Sequence, residues 1–200
     1  MGLKSYYKKN LYEAGCDEAG RGCLAGPVVA AAVILDPLRP IQGLRDSKEL
    51  TSDQRQYLRR EIELKALTFA VTFVDPEEID RINILRASLM AMYRSLMKLN
   101  PLPEHVLIDG NQLIRDLPFE QTCIVKGDAL YQSIAAASIL AKTYRDEFMA
   151  ILHMSFPHYN WISNKGYPSA EHRRAVINYG PCVHHRKTFR ISQPPDGLFE

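Results

Sequence analysis

The chain is predicted to fold as an α/β domain, a mixed five-stranded sheet flanked by helices, with a C-terminal helical extension. Two apolar segments near the amino end read as a β-hairpin, and helix and strand signals alternate after it, so the sheet should start antiparallel and continue parallel with helices on both faces. With 200 residues and 46% hydrophobic content, the chain fits a single domain over residues 1–190, and residues 191–200 read as a loose tail.

The first segment, Leu11 to Cys16, alternates in the period of a half-buried strand, so Asp17 falls where that strand would end. Glu18 follows it, and successive strand residues face opposite sides; one of the two carboxylates must therefore sit where the chain begins to turn. Gly20 and Gly22 permit that turn. Pro27 to Leu35 is a nearly continuous apolar run, a buried strand pairing back on the first. After the polar connection Leu44 to Leu50, Thr51-Ser52-Asp53-Gln54 matches a capping box, opening a helix to about Lys65. Leu67 to Val74 is rich in β-branched and aromatic residues and reads as a third strand.

Asp75-Pro76-Glu77-Glu78 supplies an N-cap, a proline at the first helical position and acidic residues in the first turn. One long helix is expected to follow, with Ile79, Ile82, Leu85, Leu89, Met92, Leu96 and Leu99 as its buried stripe. Asn100-Pro101-Leu102-Pro103 ends it. His105 to Asn111 reads as a short apolar strand reaching a carboxylate at Asp109. Gln121 to Val125 is a fifth strand, running into Lys126-Gly127-Asp128. Leu130 to about Leu152 is a helix dense in small residues, which allow close approach to the sheet. The last helix opens near Ser169 and stops at Gly180-Pro181.

Charge and cysteine usage exclude several classes. A net charge of +2 rules out a basic carpet for indiscriminate nucleic-acid binding, so any such site is local: residues 184–190, or Lys142 with Arg145 on one helix. Cys16, Cys23, Cys123 and Cys182 form no C-x-x-C pair, which speaks against a zinc knuckle or redox motif and for reduced thiols. No apolar run is long enough to span a bilayer, and a cytoplasmic protein without membrane contact is expected.

The chemistry gathers around acids. Asp17 and Asp109 lie at predicted strand ends, Asp128 just past another, and ligands of α/β sheets collect at the carboxyl ends of strands. Carboxylates brought together repel one another, and divalent cations between them keep them ionised. Oxygen-only ligands favour Mg²⁺ or Mn²⁺. Two such ions about 3.5–4 Å apart suit phosphodiester hydrolysis. Taken singly, Asp-Gly-Asn and Lys-Gly-Asp are also ordinary turn chemistry.

Several separated blocks, in order, carry a family resemblance: Gly15-Cys16-Asp17-Glu18-Ala19-Gly20-Arg21-Gly22, Asp46-Ser47-Lys48, Ile108-Asp109-Gly110-Asn111, Lys126-Gly127-Asp128, Ile134 to Lys142 with Arg145-Asp146, Lys165-Gly166-Tyr167-Pro168, and His185-Arg186 with Phe189. In these the chain resembles bacterial ribonuclease HII; the related ribonuclease HIII pattern has Gly-Thr-Gly where this chain has Gly-Arg-Gly. The resemblance implies an RNase H-like fold. It also implies two-metal hydrolysis of the RNA strand of RNA/DNA hybrids and of ribonucleotide-containing duplex DNA, cut on the 5′ side to leave 3′-hydroxyl and 5′-phosphate ends.

By motif position Asp17, Glu18, Asp109 and Asp128 match the family's acidic metal ligands. Gly20, Arg21 and Gly22 match the loop that senses the ribose 2′-hydroxyl, and Tyr167 matches the tyrosine that packs on the next sugar. A glycine-bounded backbone can approach that hydroxyl without an intervening side chain. Lys48, Lys142 and Arg145 are candidate phosphate contacts. Asp146, four residues after Lys142, is assigned to helix-face pairing and left outside the ligand set. A non-catalytic binding module on the same fold would lack one of the four acids, and none is missing. The protein is expected to act as a monomer, and the tail, Gln193 to Phe199, faintly resembles a sliding-clamp-binding peptide.

Overall fold

The computed structural model describes residues 2–191. Its sheet has the order β3-β2-β1-β4-β5, formed by β1 (Glu13–Ala19), β2 (Val28–Ile34), β3 (Thr68–Val74), β4 (His105–Asp109) and β5 (Glu120–Ile124). Strand β2 pairs antiparallel with both β1 and β3, whereas β4 pairs parallel to β1 and β5 parallel to β4. That is the expected mixed sheet. Its helices are α1 (Ser52–Lys65), α2 (Pro76–Ile82), α3 (Ile84–Leu96), α4 (Gln132–Ser155), α5 (Trp161–Asn164) and α6 (Ala170–Tyr179).

The caps lie where the sequence places them. Thr51 and Gln54 close a reciprocal capping box on α1, Asp75 caps α2 with Pro76 in its first turn, and Ser169 caps α6, which ends at Gly180. The long helix after Asp75 is two helices. Asn83, at φ 68° and ψ 162°, ends α2 while its side chain accepts from the Arg86 amide to start α3. The stripe survives the break: Ile79, Met92, Leu96 and Leu99 are buried, Ile82 and Leu89 pack against the same core, and Leu85, next to the break, is exposed.

The two faces of the sheet carry separate cores. Ala14, Cys16, Ala30, Ala32 and Ile108 pack beneath α2 and α3. On the other face Ala31 and Val33 meet α1 and the alanines of α4. Gly15 decides how close α4 comes, since a Cβ there would lie 2.3 Å from the Ile134 amide nitrogen. Ala135, Ala136, Ala137 and Ala141 are fully buried in the same contact. The aromatic group Tyr159, Trp161 and Phe156, with Ala25, Met149 and Val176, packs the C-terminal extension onto the end of α4. No helix among the described residues is long and apolar enough to cross a membrane.

Candidate active site

Strand register brings the first acids together. Strand β1 runs on through Asp17 and Glu18 to Ala19, not ending at Asp17 as expected, because β2 pairs with it as far as Ala19 opposite Val29. On the β4 side pairing stops at Cys16 opposite Ile108, so the same register places Asp17 beside Asp109, the last residue of β4. Asp17 lies opposite Ala31 on the α4 face and Glu18 opposite Ala30 on the α3 face. The two carboxylates therefore straddle the end of the sheet.

Asp128 arrives from a 3₁₀ turn, Gly127–Ala129, beyond β5. Lys126 enters it in the left-handed region, and the Gly127 amide donates to Asp109 Oδ1 at 2.7 Å. Asp128 is 3% exposed and accepts from Lys48 Nζ at 3.1 Å. The Lys48 side chain, at the opposite extreme, is 80% exposed. It is carried by the 3₁₀ turn Ser47–Glu49, whose Ser47 hydroxyl lies 3.0 Å from that of Ser138 on α4.

Burial dominates the electrostatics of Asp17, Glu18 and Asp109. Burial, then the charges of Glu18 and Asp109, hold the Asp17 carboxyl well above its usual range, against hydrogen bonds from Ser138 and the Glu18 amide. Glu18 is also raised by burial, opposed by Arg21, whose Nη1 lies 3.2 Å from its carboxylate. Burial raises Asp109 as well, opposed chiefly by the Gly127 amide. Asp17 is thus a buried acid among like charges whose hydrogen bonds come from neutral groups. Among the described residues no three His, Cys, Asp or Glu side chains are drawn into a ready-made metal cage. Three of the acids are instead each engaged by a protein group: Lys48 holds Asp128, Arg21 holds Glu18, and an amide holds Asp109.

The Gly-Arg-Gly turn follows β1 directly. Gly20 has φ +94°, and a Cβ there would lie 2.0 Å from Arg145 Nε, so both backbone and packing demand glycine. Gly22 has no such internal reason, since a Cβ on it would meet nothing within 4 Å. Tyr167, 42% exposed, stands beside this turn with Lys142 Nζ and Arg145 Cζ each 5.8 Å from its ring centre. Burial pushes both the Tyr167 hydroxyl and the nearby Cys23 thiol up from their usual ranges.

Two expectations need correction, and a third holds. Arg145 is not at the surface: it is 1% exposed and donates to the carbonyls of Ala25, Pro27 and Lys165, which excludes a direct phosphate contact. The 184–190 segment is no continuous basic patch, because His185 and Arg186 are buried at 2% and 1% exposure while Lys187 and Arg190 remain outside. Lys142 donates to Asp146 Oδ1 at 2.8 Å, the helix-face pair expected from the spacing. Sequence reasoning grouped Arg186 with a surface patch and missed its inward role. An arginine amid His-His and Phe gives no sign of direction until Leu24 pairs with its amide.

Comparison with known proteins agrees with this architecture. The Ribonuclease HII family model matches residues 14–192. The Ribonuclease HII of Bacteroides thetaiotaomicron is 54% identical over 189 residues, 94% of each chain. Among solved structures, the ribonuclease H2 of Pyrococcus horikoshii superposes with a TM-score of 0.74 at 30% identity, covering 90% of this chain and 94% of that one. The RNase HII of Archaeoglobus fulgidus, solved as a complex with PCNA, gives 0.77 at 28% identity over 92% and 98%. Since family match, sequence identity and structural superposition agree over nearly the whole chain, this protein belongs to the ribonuclease HII family, endoribonucleases that degrade the RNA of RNA/DNA hybrids.

Proposed function

We propose that the protein nicks duplexes on the 5′ side of a ribonucleotide, whether single within DNA or part of a hybrid, leaving 3′-hydroxyl and 5′-phosphate ends. Asp17, Glu18, Asp109 and Asp128 would hold two divalent ions, Mg²⁺ or Mn²⁺. The observation that carries this reading is Asp17, a carboxylate set by strand register beside Asp109 and held above its usual range by burial and then by the charges of Glu18 and Asp109. An all-oxygen donor set of this kind fits a hard divalent cation. Such ions, when bound, supply a hydroxide nucleophile at neutral pH and stabilise the leaving oxygen.

The remaining steps belong to the chain's own residues. Lys48 neutralises Asp128 in the free protein, and its exposed stem lets the ammonium reach a substrate phosphate. Lys142, paired with Asp146 beside Tyr167, would offer a second contact to a substrate phosphate. Gly22 leaves room for close approach where a side chain would stand, so backbone amides can meet the 2′-hydroxyl, the group separating RNA from DNA. The Tyr167 ring would lie against the following sugar, where an extra hydroxyl would crowd it.

The test is nicking of a duplex with one embedded ribonucleotide, with Mg²⁺ or Mn²⁺ and with EDTA. The wild type should cut at the 5′ side only with metal. Asp17→Asn and Asp109→Asn should fall to background while keeping the wild-type fold by circular dichroism. Wild-type-like nicking by either variant would remove the metal-site assignment, and metal-dependent binding without cutting by the wild type would favour a binding module.

Docking to a sliding clamp is proposed through Gln193 to Phe199, residues outside the described range; the Archaeoglobus fulgidus protein was solved with PCNA. A chain truncated after Ile191 should lose clamp binding yet nick free duplex normally. The enzyme is taken to act as a monomer, which sedimentation at working concentration checks.

A further inference from the structure

Two buried arginines meet beneath the Gly-Arg-Gly turn. Arg186 donates through Nη2 to Gly20 O at 2.7 Å, through Nη1 to Arg21 O at 2.9 Å, and through Nε and Nη2 to Gly26 O at 3.1 and 3.0 Å. Arg145 donates through Nε to Pro27 O at 3.0 Å, through Nη2 to Ala25 O at 3.0 Å, and through Nη1 to Lys165 O at 2.8 Å. Each bond ends on a carbonyl oxygen, none on a carboxylate, although both side chains are 1% exposed. Phe189 covers the Arg186 guanidinium at 5.0 Å, and Tyr167 lies near that of Arg145 at 5.8 Å.

Buried guanidinium groups without carboxylate partners are costly to leave uncompensated. Here the carbonyl dipoles of residues 20–27 compensate them, and peptide geometry has a consequence. A peptide plane whose carbonyl points inward turns its amide the other way. The amides of Cys23, Leu24 and Gly26 donate to Gly20, Gly166 and His184 carbonyls, whereas those of Arg21 and Gly22 have no backbone acceptor among the described residues.

We propose that Arg145 and Arg186 are positioning residues for ribose recognition: by drawing in the carbonyl oxygens of the 20–27 loop they aim the Arg21 and Gly22 amides at the substrate's 2′-hydroxyl and adjoining phosphate. This rests on reading Gly20 to Gly22 as the ribose-sensing loop. The planar fork is essential, because a lysine keeps the charge but cannot hold several carbonyls at fixed angles. Arg145 also grips Lys165 O, which ties the loop to the segment bearing Tyr167.

The experiment compares dissociation constants for a duplex with one ribonucleotide and the all-DNA duplex of the same sequence, in Ca²⁺ to suppress cutting, for wild type, Arg186→Lys and Arg145→Lys. The wild type should prefer the ribonucleotide duplex, and each variant should lose on the order of tenfold of that preference while its affinity for all-DNA duplex barely moves. A merely structural role lowers the folded fraction and weakens both duplexes equally, so the ratio is the readout. Retention of the wild-type ratio by both folded variants overturns the proposal. So does failure of both to fold, since the arginines would then serve the whole domain. If the wild type itself shows no preference, it is the ribose-sensing reading that fails.

Discussion

At the residue scale, three neighbouring glycines serve three different ends. Gly15 admits the backbone of α4, Gly20 yields its Cβ space to Arg145 while holding a positive φ, and Gly22 faces open space. Gly15→Ala should therefore destabilise the fold by about 1–3 kcal/mol, the usual range for overpacking, as read by urea denaturation. Gly22→Ala should leave stability near wild type and depress nicking instead. Tyr167→Ala should impair the single-ribonucleotide substrate more than a continuous hybrid, because only the former places a deoxyribose next to the ring. Equal losses in kcat/KM on both would make Tyr167 a structural residue. The position of Asp109 and Asp128 at one end of the sheet was legible from the sequence because each lies at or just past a strand end. The direction of Arg145 was not, since spacing on a helix does not say whether a guanidinium meets solvent or carbonyls.

At the element scale, Asn83 shows where periodicity misleads. A stripe at threes and fours from Ile79 to Leu99 looks continuous, yet the backbone at Asn83 has a conformation almost reserved for glycine. Its side chain recovers a cap for α3 and its φ re-aims the helix over the sheet. Asn83→Ala should cost about 1–3 kcal/mol, combining backbone strain with the lost cap. Asn83→Gly relieves the strain and should stay within about 1 kcal/mol of wild type in the same denaturation assay. Thr51, Asp75 and Ser169 were legible because a cap is a local contact between residues three apart. The break at Asn83 was not, because packing of α3 against β2 and β3 decides it.

At the scale of the whole molecule, the C-terminal extension is held together around a buried histidine pair. His172 donates from Nδ1 to Tyr167 O at 2.9 Å, and its Nε2 accepts from Trp161 Nε1 at 3.0 Å and faces His185 Nε2 at 3.2 Å. His185 Nδ1 accepts the Cys182 amide at 3.0 Å, so its proton sits on Nε2. Burial, followed by the neighbouring His172, pushes His185 down to about 4. The unfolded chain titrates near 6.5, so it binds more protons than the folded one between these values, and stability falls as pH drops through that window. The His185 contribution should amount to about 3 kcal/mol. Denaturation at pH 7 and pH 4 tests this: the stability difference between wild type and His185→Gln should shrink towards acid, and a pH-independent difference would refute it.

By itself the sequence determined the succession of strands along the chain, the caps and the Gly-Arg-Gly turn, because local propensity and short motifs are properties of neighbouring residues. Only the tertiary structure decided that Asp17 stands beside Asp109, that Lys48 holds Asp128, and that Arg145 and Arg186 turn inward. Those relations join residues far apart in the chain. They are set by strand register and by the need of a buried charge for a partner, neither of which a linear pattern contains.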